Sequence, residues 1–121
     1  MPKKKLLCVD DEPAGLRVRK LLLERQGYEV STAEAGTEGL AAFHAQEFDA
    51  VVLDYYMPGM NGGAVARAMR ESKPGVPIIL LSAFITLPEP LDGTIDAFVV
   101  KGESPEVLLA KIAQLTTKSN C

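Results

Sequence analysis

Four short runs in this chain lack a polar face beyond their first residue: Lys5-Leu6-Leu7-Cys8-Val9, Asp49-Ala-Val-Val-Leu53, Ile78 to Leu81 and Ala97 to Val100. A strand that is apolar on both sides has to be covered on both sides, which points to a parallel sheet sandwiched between helices. The intervening stretches fit that plan. Glu12 to Gln26 carries Ala14, Val18, Leu21 and Leu22 at helical spacing, with Pro13 suited to the first turn and Gly27 to the C-terminal cap. Tyr28 to Ala33 alternates like a less buried strand, and Gly36 to Gln46 places Leu40 and Phe43 on one helical side. A further helix after Gly62 holds Val65 and Met69, and Ser104-Pro105-Glu106 opens a last one with Leu108, Ile112 and Leu115 inward.

Five strands alternating with five helical segments predict one doubly wound α/β domain over residues 1–121, with a core of about 5–115 and a polar, frayed tail at 116–121. The weak stretch is Phe84 to Gly93. Pro88 and Pro90 each remove a backbone donor and Gly93 adds entropy, so the helix due between the fourth and fifth strands is expected to be short or irregular.

Composition excludes several classes. With 121 residues, 47% hydrophobic and 24% charged, the chain suits a single domain with a proper core. A formal net charge of −3 gives no electrostatic case for direct nucleic-acid binding. No apolar run approaches the ~20 residues needed for membrane insertion, and the apolar run after Met-Pro-Lys-Lys-Lys is too short for a signal peptide. Cys8 and Cys121 sit at opposite ends and suggest no disulfide framework, so a cytoplasmic location is expected. One histidine and two distant cysteines leave little for a zinc site.

The polar residues fall where the buried strands end. Asp10 and Asp11 follow the first strand, Asp54 ends the third, Ser82 the fourth, and Lys101 the fifth. Each has an ordinary reading: a carboxylate near a helix N-terminus, a turn-starting Asp, a serine satisfying backbone groups, an exposed lysine. In an open parallel sheet, however, all the strand ends of one sense lie along one edge, where ligands bind. Convergence of all of them by accident is far less economical. Three carboxylates and one ammonium leave a formal local charge of −2, which invites a hard cation. Oxygen donors without nitrogen or sulfur select Mg²⁺, and a carboxylate beside it can act as a nucleophile toward phosphorus.

The stretches Val9-Asp10-Asp11-Glu12-Pro13, Asp54-Tyr-Tyr-Met-Pro-Gly-Met-Asn-Gly62, Ser82-Ala83 and Lys101 resemble the receiver domain of two-component response regulators. The resemblance runs from about Lys5 to Leu115. It implies a flavodoxin-like sheet of order 2-1-3-4-5 and a phosphoacceptor switch rather than a turnover enzyme. By the same resemblance, Asp54 is the phosphoacceptor. Asp11 and Asp54 are direct Mg²⁺ ligands, Asp10 acts mainly through water, and the Tyr56 backbone carbonyl is a further ligand. Ser82 and Lys101 meet the phosphoryl group, and Phe98 holds the place of a switch aromatic. The implied partners are a histidine kinase or histidine phosphotransfer protein and a downstream protein target, through a surface that changes on phosphorylation.

The chain departs from the family pattern at three places. Gly102 follows Lys101 where the family has proline in a cis peptide, so a trans bond is expected. The segment between Ser82 and Lys101 is short and proline-rich. Tyr56 and Phe84, at positions that tune dephosphorylation, are both aromatic. Two other readings compete. A phosphatase of the haloacid dehalogenase type wants an acid two residues after the nucleophile, and here that residue is Tyr56. A phosphate-independent interaction module of the same fold would have lost a pocket residue, and none is missing. The absence of a DNA-binding segment after Leu115 suggests either a stand-alone regulator or a piece of a longer one.

Overall fold

The computed structural model describes residues 2–117. Its elements follow one another as β1 (Lys5–Val9), α1 (Pro13–Arg25), β2 (Glu29–Ala33), α2 (Gly36–Ala45), β3 (Ala50–Asp54), α3 (Gly62–Ser72), β4 (Ile78–Ser82), β5 (Ala97–Val100) and α4 (Pro105–Thr117). The strands form one parallel sheet in the order β2-β1-β3-β4-β5. This is the flavodoxin-like arrangement expected from the sequence.

Two apolar layers cover the sheet. On one side Leu7, Val9, Val51, Leu53 and Leu80 pack with Phe43 of α2 and with Val65 and Met69 of α3. On the other, Leu6, Cys8, Val52, Ile79 and Leu81 pack with residues of α1 and α4. Both faces of the central strands are buried, as their unbroken apolar runs require. Each aliphatic side chain so buried contributes roughly 1.5–3 kcal/mol of transfer free energy.

Three readings of the sequence need correction. The stripe Ala14, Val18, Leu21 does not face the sheet: Val18 is 67% and Leu21 58% exposed, while Leu16 and Leu23 are buried. The inward row at 16, 19 and 23 contains Arg19, and a count of apolar residues rejects a row with a charge in it. Second, four helices rather than five form among the described residues. No helix occurs between β4 and β5; turns around Leu91 and Gly93 take its place, in line with the two prolines. Third, the supposed frayed tail is helical as far as Thr117. Thr116 is buried, its Oγ1 donates to the Ile112 carbonyl at 2.8 Å, and its own carbonyl accepts from Lys4 Nζ at 2.9 Å. Residues 118–121, Cys121 among them, lie outside the described residues.

The carboxyl ends of the strands are held in register beyond the strands themselves. Asp10 N–H donates to the Ala33 carbonyl, Tyr55 N–H to that of Leu81, and Lys101 N–H to that of Ser82, at 2.8–3.1 Å. The loop after β3 is closed by Gly62, whose N–H donates to the Tyr55 carbonyl at 2.7 Å. A Cβ at that position would lie 2.5 Å from the Asp54 carbonyl oxygen and 2.7 Å from Tyr55 Cα. Gly62→Ala is therefore expected to destabilise the fold by ~3 kcal/mol through backbone displacement beneath Asp54. A urea titration checks this against Gly102→Ala, whose Cβ meets nothing within 4 Å and should leave the midpoint in place.

Candidate functional site

At the carboxyl edge of the sheet, the end of β3 and the loops after β1 and β5 bring Asp10, Asp11, Asp54 and Lys101 together. Oxygens of the three carboxylates lie within 4.8 Å of one another. Asp10 and Asp54 are buried, and Asp11 is exposed. Lys101 Nζ lies 3.1 Å from Asp10 Oδ2 and 3.1 Å from Asp54 Oδ1. Asp10 Oδ1 accepts the N–H of Glu12, the N-cap residue of α1, at 3.0 Å. Asp10 thus braces the turn that leads into α1, and this coexists with the ion pair. The four residues line an open pocket of about 420 Å³, with Tyr56 and Phe84 on its wall.

Ser82 and Phe98 stand beside this pocket rather than in it. Ser82 is fully buried, and its Oγ accepts the Phe84 N–H at 3.1 Å. Phe98 is half-buried and packs on the α2–α3 side of the sheet, lining a separate cavity with Leu87, Leu91 and Ile95. The rings of Tyr56 and Phe84 meet edge-on, with centroids 5.3 Å apart, and Tyr56 meets Tyr55 at 4.8 Å. Among the described residues no peptide bond is cis, so the Lys101–Gly102 bond is trans as expected.

Sequence reasoning missed two sets of residues. Arg19 of α1 reaches Asp10 Oδ2 with Nη1 at 3.2 Å. Behind β3, Tyr55 Oη donates to Glu89 Oε2 at 2.6 Å, and Arg67 Nη1 lies 2.7 Å from Glu89 Oε1. A signal existed for the first, since Arg19 shares one helical row with Leu16 and Leu23, both buried. None existed for the second, because Glu89 belongs to a segment without periodicity.

The carboxyls differ in their affinity for protons. Burial is the largest influence on Asp54 and pushes it up, the charge of Asp10 adds to this, and Lys101 offsets part of it, leaving Asp54 at about 6. Burial also acts most strongly on Asp10, but the Glu12 N–H, Lys101 and Arg19 together outweigh it and hold Asp10 below the ordinary carboxylate value. Lys101 loses proton affinity to burial and regains more from its bonds to Asp54 and Asp10, so it stays charged. Neighbouring acids are thus driven apart, with one kept as a fixed anion and the other close to titration.

A buried doubly wound α/β sheet with three carboxylates and one ammonium at its carboxyl edge defines a flavodoxin-like domain with an acidic, lysine-bridged pocket. The family model of the response regulator receiver domain matches residues 6–113, and the chain belongs to that family. It is 38% identical over 120 residues to a probable transcriptional regulator, ycf27, of Cyanophora paradoxa, covering 97% of this chain and 50% of the relative. It is 37% identical over 115 residues to the uncharacterized transcriptional regulatory protein YkoG of Bacillus subtilis, covering 93% and 50%. The chain spans about half the length of these curated relatives. Among solved structures, a CheY-like receiver domain protein from Methanospirillum hungatei matches with a TM-score of 0.91 at 31% identity, covering 97% of this chain and 96% of that one. The response regulator TrrA of Thermotoga maritima, in complex with Mg²⁺-BeF, matches with a TM-score of 0.88 at 39% identity, covering 93% and 98%. Among the described residues, no helix is long and apolar enough to cross a membrane.

The proton affinities fix a pH dependence in the metal-free protein. Asp54 binds its proton more tightly folded than unfolded, so its contribution to stability is fully present below 3.8 and is lost as pH rises through about 6. Asp10 acts in the opposite sense, and its contribution is lost as pH falls through its lowered value. In chelator, Asp54→Asn should match the wild type in stability near pH 4. At pH 7 it should exceed it by up to ~3 kcal/mol, less what Asn forfeits at Lys101. Denaturant midpoints at the two pH values check the sign.

Proposed function

We propose that this domain is a phosphoacceptor switch, in which Asp54 takes a phosphoryl group from a histidine of a partner kinase or phosphotransfer protein. The observation that carries this reading is the Lys101 ammonium held 3.1 Å from both Asp54 and Asp10 in a pocket open to solvent. With a carboxyl near 6, Asp54 is mostly anionic at neutral pH and its oxygen can attack phosphorus. The new phosphorus–oxygen bond forms as the phosphorus–nitrogen bond to the donor imidazole breaks. The electron pair stays on the imidazole nitrogen, which then takes up a proton. Lys101 neutralises charge on the phosphoryl oxygens, and the Ser82 hydroxyl, which here only accepts, has its own proton to donate to another.

The donor set fits Mg²⁺, with Asp11 and Asp54 as direct ligands, Asp10 acting through water and the Tyr56 carbonyl as a further ligand. Bound there, the cation supplies the positive charge that lets a phosphoryl dianion approach three carboxylates. The Mg²⁺-BeF complex of the 39% identical TrrA supports this assignment. Phosphoryl uptake changes the protein-binding surface around Ser82 and Phe98, and a downstream protein reads it, in the cytoplasm and without direct contact of this domain with nucleic acid. Incubation with Mg²⁺ and acetyl phosphate should add one phosphoryl group by intact mass, and none to Asp54→Asn. An undiminished shift in the variant would remove Asp54 from the role.

The phosphorylated form should be long-lived. Hydrolysis needs a water aligned on phosphorus, and polar side chains are the usual means of holding one. Here the edge-packed rings of Tyr56 and Phe84 line the pocket instead. Replacing them together by Asn and Glu should raise the decay rate of purified phosphoprotein by about tenfold or more.

A further inference from the structure

Arg19 is absorbed by none of the roles above, yet it reaches one of the pocket's carboxylates from α1. Its Nη1 lies 3.2 Å from Asp10 Oδ2, and its side chain is only 14% exposed. The same Oδ2 receives Lys101 Nζ at 3.1 Å, and Oδ1 accepts the Glu12 N–H at 3.0 Å. Both oxygens of the buried Asp10 are therefore engaged by protein donors. Asp11 is exposed, and among the described residues Lys101 is the cation paired with Asp54.

The route of the arginine follows from helix geometry. Side chains on a helix lean toward its N-terminus, so Arg19 points back along α1 toward the sheet edge that carries Asp10. Gly15, Val18, Arg19 and Leu22 line one side of a cavity of about 350 Å³ between α1 and α4, with Leu81 and Leu108 opposite. The aliphatic stem lies along this apolar wall, and the guanidinium is delivered to the sheet edge.

We propose that Arg19 is a positioning residue that sets the charge of the pocket, holding Asp10 as a paired anion and leaving Asp11 and Asp54 for the divalent cation. The proposal rests on the phosphoacceptor reading of Asp54. Counted with Arg19, the metal-free pocket carries a formal charge of −1 instead of −2. With Mg²⁺ bound and a phosphoryl dianion on Asp54, the pocket is neutral with Arg19 and carries −1 without it. Loss of the guanidinium charge thus has two opposite consequences. The pocket attracts Mg²⁺ more strongly before phosphorylation, and it accepts a dianionic phosphoryl donor less readily once the metal is saturating.

The test is a Mg²⁺ titration followed by amide chemical shifts in the wild type, Arg19→Met and Arg19→Lys. Arg19→Met keeps the stem and removes the charge, and it should bind Mg²⁺ on the order of tenfold more tightly. Arg19→Lys should return toward the wild type. At saturating Mg²⁺, phosphorylation of Arg19→Met by acetyl phosphate should be slower by a similar factor. Should Arg19→Met fail to fold, Arg19→Gln takes its place as the neutral variant. A merely structural arginine would weaken both properties together. Unchanged or weaker Mg²⁺ affinity in the folded neutral variant overturns the proposal, as does an absence of Mg²⁺ binding in every form. The titration contains no phosphodonor, so its outcome is separable from a failure of Asp54 to accept a phosphoryl group.

Discussion

Two buried carboxylates, Asp10 and Asp54, stand side by side at the ends of β1 and β3, and the Lys101 ammonium spans both at 3.1 Å. A buried anion without a partner costs several kcal/mol, so this bridge is a condition on the fold as well as on its chemistry. It explains why the strand order matters. β1 pairs with β3, and Val9 stands opposite Leu53, so the residues that follow them emerge as neighbours. Had β2 lain between them, the two carboxylates would be separated by about 10 Å, beyond the reach of one lysine. The crossovers of a doubly wound sheet thus convert a spacing of 44 residues into adjacency.

The sheet and the acid pocket were legible because each depends on local patterns. Leu6 to Val9, Ala50 to Leu53 and Ile78 to Leu81 are apolar on both faces, a pattern that a parallel central strand satisfies and an edge strand does not. A polar residue ending such a run has few places to go other than the carboxyl edge, which is why Asp54 could be read directly, whereas Lys101 follows β5, an edge strand in which Val99 alone is buried despite its apolar sequence. The inward face of α1 was misread for the converse reason. Arg19 is buried by its stem and paired at its tip, while Val18 and Leu21 are left in solvent. Hydropathy measures the average preference of a residue, and a side chain that is apolar along its length and charged at its end defeats the average.

Ser82 and Phe98 show a different limit. Strand position put Ser82 at the end of β4 and the family resemblance gave Phe98, the second residue of β5, its role, but side-chain direction is decided by pleat and neighbours. Phe98 pairs in register with Leu80 and shares that residue's face of the sheet, away from the carboxylates. Ser82 Oγ is taken by the N–H of Phe84 at the turn that follows β4. Neither relation can be read from residue types alone.

The crossover from β4 to β5 shows how an irregular segment is held where a helix would have satisfied its own backbone. Beyond the single turn in which the Thr94 and Ile95 N–H groups donate to the Leu91 carbonyl, its polar groups need partners elsewhere. Arg70 of α3 supplies several, donating from Nε to the Thr94 carbonyl and from Nη2 to Asp96 Oδ2, while Asp96 also accepts the N–H of Ile78 at the start of β4. Leu91 is buried against the α2–α3 layer and anchors the middle of the segment. Glu89 completes the set, bound by Arg67 and by the Tyr55 hydroxyl. The Glu89 carboxylate lies close over α3, where a Cβ at Gly63 would come within 2.5 Å of Oε2. Tyr55 directly follows Asp54 in the chain. The segment that the prolines keep from being helical is therefore tied by one hydrogen bond to the residue next to the candidate phosphoacceptor, on the face opposite the ammonium that bridges it.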